Sequence, residues 1–97
     1  MKNKYEKSPA GLMAFFKLCA NTEDRKLRAD LLDLFLSEKE KEALNDRYLI
    51  VQALLKSEKP QREIAKNLGV SIAKITRGSN ELKRINKNLL AYLEKKL

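Results

Sequence analysis

The segment from Gln61 to Lys87 constrains the fold more than any other part of the chain. Gln61-Arg62-Glu63-Ile64-Ala65-Lys66-Asn67-Leu68 has the spacing of a short helix with Pro60 at its head. Gly69-Val70-Ser71 interrupts it: Gly69 supplies the left-handed backbone that ends a helix, and Ser71 caps a second one beginning Ile72-Ala73-Lys74-Ile75-Thr76. Two helices joined by so tight a turn form a helix-turn-helix pattern over about 61–84. Ala65 is small where the helices cross closely, and Ile64, Leu68, Val70 and Ile75 are the expected core that fixes the crossing angle.

Such units also serve as plain packing modules, so charge is the deciding feature. Residues 61–87 hold seven Lys and Arg against Glu63 and Glu81, a net +5 out of the chain's +8. Positive charge concentrated around this pattern is what phosphate neutralisation requires, and the two together point to DNA. Gly78 is out of place in the second helix, where it costs about 1 kcal/mol relative to Ala. Two accounts are open: a bend or helix end at Arg77-Gly78, or a slot in which a ligand ring lies close to the backbone.

The rest of the 97-residue chain reads as helical, with no repeat and no β-alternation, so the expected class is all-α. Residues 1–7 are read as a mobile basic arm and 8–97 as a single helical domain. Ser8-Pro9 predicts a helix start, after which Leu12, Phe15, Phe16 and Cys19 share one face that suits a core or a subunit interface. A second helix is expected from about Asp24 to Leu36, with Leu27, Leu31, Leu34 and Phe35 inward. Ser37-Glu38-Lys39-Glu40 is a capping-box pattern opening a long helix to about Lys56. In it Leu44, Tyr48, Val51 and Leu55 form one apolar stripe that Ala43, Ile50 and Leu54 widen.

Several functions drop out. One Cys permits no internal disulfide, and the absence of His removes imidazole-based zinc sites and His-paired nucleophiles. Glu40 and Glu42 sit on a solvated turn with no cofactor motif nearby, so the expectation is not an enzyme and no metal. No apolar run has the length of a membrane span, and Lys17 breaks the one stretch that resembles a signal peptide; the expected location is the cytoplasm.

Glu42-Ala43-Leu44, Arg47, Ile50-Val51, Leu54-Leu55, Gln61-Arg62-Glu63 and Ile75-Thr76-Arg77-Gly78-Ser79-Asn80 with Leu82-Lys83 resemble the bacterial tryptophan repressor family. The similarity is collinear and ungapped from about Leu34 to Lys83, while residues 1–33 and 84–97 match in helical character and length. That family itself exemplifies helix-turn-helix docking and water-mediated readout of DNA. The resemblance implies a six-helix subunit, an intertwined homodimer with a helix-turn-helix in each subunit, and a palindromic operator bound with L-tryptophan as corepressor.

It also implies a ligand site. Arg77 matches the position that pairs with the ligand carboxylate and covers one indole face, and Arg47 matches the residue on the other face. Gly78 matches the place where the backbone makes room. The carbonyls around Leu34 and Leu36 would meet the ammonium at a helix C-terminus. Ser37 stands where the family has Thr and keeps the hydroxyl, and Glu81 stands where it has a Ser near the amino group. On the DNA side, Gln61 and Arg62 are expected at the backbone, and Ser71, Ile72, Ala73 and Thr76 near base edges. Lys83 adds a phosphate contact. Lys74 departs from a small polar residue of the family on the DNA side, so the resemblance does not carry over the preferred base sequence.

Two other readings compete. A repressor or replication-type helix-turn-helix protein without a small-molecule corepressor would show no heat with millimolar tryptophan. A basic helical module docking on an acidic protein would not tell one palindrome from scrambled duplex.

Overall fold

The structure is a computed structural model that describes residues 8–97, so the basic arm expected at residues 1–7 lies outside the described residues. Among the described residues there are six helices and no strand. In chain order they are α1 (Ala10–Asn21), α2 (Arg25–Phe35), α3 (Glu38–Lys56), α4 (Gln61–Leu68), α5 (Ile72–Leu82) and α6 (Lys87–Lys96). The chain divides into two compact units, one ending at Ser37 and one from Glu38 to Leu97.

In the first unit the helix ends follow local chemistry. The Ser8 hydroxyl accepts from the Ala10 backbone N–H at 3.2 Å, while Pro9 occupies the capping position, so α1 starts one residue later than Ser8-Pro9 suggests. Asp24 caps α2 by accepting from the Leu27 N–H at 2.9 Å. The link between them is held by the Arg28 guanidinium, which donates to the Thr22 carbonyl from Nε at 3.0 Å and from its terminal nitrogen at 2.7 Å. Phe15 and Phe35 pack ring to ring with centroids 5.2 Å apart at 60°. Two helices cannot enclose much more. Leu12, Phe16, Leu27 and Phe35 remain exposed, and Leu34, expected inward, is 76% exposed.

The second unit carries the core. Ile50, Ile64, Ala65 and Ile75 are buried, and Ala53, Leu54, Leu68 and Val70 pack against them. The small residues between α4 and α5 are therefore where the turn chemistry demands them. Gly69 has φ +69°, the left-handed conformation that closes α4, and its N–H donates back into the last turn. Ser71 caps α5, accepting from the Lys74 N–H at 3.3 Å.

On α3 the buried face differs from the expected stripe. Leu44 and Tyr48 are more than half exposed and Val51 and Leu55 half-buried, while Ile50 and Leu54, expected at the edge of that face, pack with Ala53 in the core against α4 and α5. The pattern 50, 53, 54 is itself a helical i, i+3, i+4 row, so a wide apolar surface allowed two rotations and packing selected one. α6 is capped by Asn86, which accepts from the Leu89 N–H at 2.8 Å, and Lys56 at the end of α3 donates to the Glu94 carbonyl near the end of α6.

Ile75 has no exposed surface. Ile75→Ala should cost about 2–5 kcal/mol, seen as a lower urea midpoint at fixed protein concentration; an unchanged midpoint would mean that the α4–α5 crossing is not held by this core.

Candidate functional site

α3 and α5 form the opposite walls of a cavity of about 330 Å³ within the second unit. Ala43, Ile50, Val51, Leu82, Ile85 and Leu93 make it mostly apolar, and Asp46, Arg47, Lys74, Arg77 and Glu81 give it charge. Gly78 completes the lining. The size is that of a small-molecule site, and the mix of apolar wall with few charged groups is typical of one. Among the described residues no three His, Cys, Asp or Glu side chains gather as a metal-ligand set, and no helix is long and apolar enough to cross a membrane.

Arg47 comes from the middle of α3 and Arg77 from the middle of α5, 30 positions apart in sequence, and both line this cavity. Gly78 explains how the two helices approach. α5 runs unbroken through Arg77-Gly78 to Leu82, so the helix does not end at this glycine. A Cβ there would lie 2.8 Å from Ile50 Cγ2 and 3.5 Å from Leu54 Cδ1, so the missing side chain is the space that Ile50 occupies.

Two ion pairs involve cavity residues. Lys74 Nζ lies 3.7 Å from Asp46 Oδ2 across the α3–α5 gap, and Arg84 lies 3.6 Å from the Glu81 carboxylate along the helix surface. Glu81 is thus a cavity residue whose charge is already engaged. Leu34, Leu36 and Ser37 belong to the other unit: Leu34 is in the last turn of α2, Leu36 is its C-cap residue and Ser37 follows.

The residues expected on the DNA side cluster along α4 and α5. Arg62, Ile72, Ala73, Lys74, Thr76 and Lys83 are exposed, as is Ser71. Gln61 opens α4, and its Oε1 accepts from the Thr76 hydroxyl at 3.2 Å, which fixes the two side chains against each other. All seven Lys and Arg side chains of residues 61–87 are exposed.

Asp46 was not legible as a site residue from the sequence. The row Ala43, Asp46, Arg47, Ile50 and Val51 has i, i+3, i+4, i+7, i+8 spacing, which is the signal that places it on the Arg47 face. Its pairing with Lys74, 28 positions away, has no such signal.

Comparison with known proteins adds two findings. The family model described as "Trp repressor protein" matches residues 10–97. A Trp operon repressor homolog of Chlamydia trachomatis serovar D is 45% identical over 97 residues, covering 100% of both chains. One of Chlamydia caviae is 44% identical over 89 residues, 92% of this chain and 88% of that protein. One of Vibrio vulnificus is 48% identical over 66 residues, 68% of this chain and 65% of its own.

Gly78→Ala should cost about 1–3 kcal/mol through overpacking against Ile50, where an open helix site would gain about 1 kcal/mol. Urea unfolding reads the sign, and a more stable variant would show that the α3–α5 contact is looser than 2.8 Å implies.

Proposed function

The chain belongs to the Trp repressor protein family, a family of transcription regulators, and from that membership we propose that it is a tryptophan-responsive repressor. It binds a palindromic operator as a homodimer in the cytoplasm, with L-tryptophan as corepressor. The observation that carries this reading is the meeting of Arg47 and Arg77 at one apolar cavity between α3 and α5.

The chemistry of the ligand suits that cavity. An indole has two flat faces, and a guanidinium stacks on an aromatic face while it also pairs with a carboxylate. Arg77 takes the carboxylate and one face, and Arg47 takes the other face. Gly78 lines the same cavity, with Ile50 filling the space its missing side chain leaves. Glu81 adds a negative group for the ammonium, shared with Arg84.

On the DNA side, α4, the Gly69 turn and α5 act as a helix-turn-helix. Gln61, Arg62 and Lys83 meet phosphates, and Ser71, Ile72, Ala73, Lys74 and Thr76 face the major groove. Ile72 and Ala73 have no side-chain hydrogen-bond donor, so shape and bridging water carry part of the specificity. The exposed apolar side chains Leu12, Met13, Phe16, Leu18, Leu27 and Leu34 support a dimer, because a lone chain leaves them in water. Two heads then meet half-sites about 34 Å apart, the spacing usual for this motif.

Tryptophan acts as a wedge. Held between Arg47 on α3 and Arg77-Gly78 on α5, it sets how far the two reading helices stand apart, and without it they miss successive major grooves. Linkage requires operator DNA to tighten tryptophan binding by the same factor.

A mobility shift on a palindromic operator should show a complex that strengthens with L-tryptophan. Arg77→Ala should weaken tryptophan binding more than about tenfold and abolish its effect on the shift; an unaltered response removes Arg77 from the site. Glu81→Ser should weaken tryptophan binding about two- to fivefold. The chain has no Trp, so ligand fluorescence reports that titration directly, and an identical affinity makes Glu81 a bystander.

A further inference from the structure

We infer that Asp46 is a latch on the reading helix: it holds the Lys74 ammonium against α3 and so withholds one positive charge per head from the DNA phosphates. This rests on the reading of α5 as the DNA-facing helix.

Lys74 is the one basic side chain in the first turn of α5, among residues that face the groove in that reading. Its side chain is exposed, and its charge has a partner on the neighbouring helix. Nζ lies 3.7 Å from Asp46 Oδ2 on α3, and both residues line the cavity between the two helices. The two partners differ in exposure, 24% for the Asp46 side chain against 55% for Lys74. Asp46 therefore has the poorer access to water and depends more on its partner.

Moving Lys74 to a phosphate would leave that carboxylate uncompensated beside a row of negative charges. The like-charge repulsion opposes the gain of the new contact, so Lys74 stays with Asp46 when DNA binds. The pair is then neutral at the interface, and Lys74 presents its methylenes rather than its charge. Asp46 touches no base or phosphate in this scheme; it acts through Lys74 and is a positioning residue.

Counterion release gives a readout that a merely structural pair would not move. Each phosphate neutralised steepens the dependence of log affinity on log salt by about 0.9. A dimer with two freed lysines gains about 1.8. Operator affinity is measured at saturating tryptophan across 50 to 200 mM salt for the unaltered protein, Asp46→Asn, and Asp46→Asn with Lys74→Gln. Asp46→Asn should bind more tightly at low salt and lose about twelvefold of that advantage over the range. Adding Lys74→Gln should return the slope to that of the unaltered protein. Asp46→Ala should match Asp46→Asn, which keeps the test valid if the first variant folds poorly.

An Asp46→Asn slope equal to the original overturns the latch, as does a double variant that keeps the steeper slope. Absence of any operator complex with the unaltered protein overturns the DNA-binding reading and the latch together.

Discussion

The approach of α5 to α3 at Gly78 is the constraint on which the candidate site depends. Ile50 occupies the volume that a side chain at position 78 would need, so the two helix backbones come close at that point. Ile75, one turn earlier on α5, is fully buried, which fixes the rotation of the helix about its own axis. With Ile75 inward, helical geometry leaves Arg77 and Glu81 at the cavity and Ile72, Ala73 and Thr76 on the exposed side. A single small residue thereby sets the spacing of the cavity walls and the direction in which the opposite face looks.

Charge is divided along the same line. The cavity has an apolar lining with acids and bases at its edge, two of which are tied in the Asp46–Lys74 pair. The exposed surface of residues 61–87 is dominated by Lys and Arg. Coulomb attraction to a phosphate backbone needs only that second pattern, whereas a zwitterionic aromatic ligand needs the first. The proposed wedge joins them through one rigid helix, so a change of spacing at the cavity becomes a change of position at the groove.

The two units are held by different means. The second is organised by a compact aliphatic core and by caps at Gly69, Ser71 and Asn86. The first has one aromatic contact and a loop fastened by Arg28, and it leaves much of its apolar surface in water. Burying that surface is worth roughly 25 cal/mol per Å², a gain open to a second copy of the chain and the physical basis for the proposed dimer.

Local residue chemistry was enough to read α1 to α5, the Ser71 cap and the turn at Gly69, because each depends on backbone preferences and contacts within a few positions. Residues 84–97 were legible only as helical through the resemblance, and the caps at Asp24 and Asn86 came from the structure. The family was legible in the same way, from Ile75-Thr76-Arg77-Gly78-Ser79-Asn80 joined to the short helix before it. Which face of α3 is buried, why position 78 must lack a side chain, and that Lys74 is held by Asp46 were decided only in three dimensions. Each is a contact between residues far apart in the chain, where packing volume and charge select among arrangements that helical periodicity leaves equal.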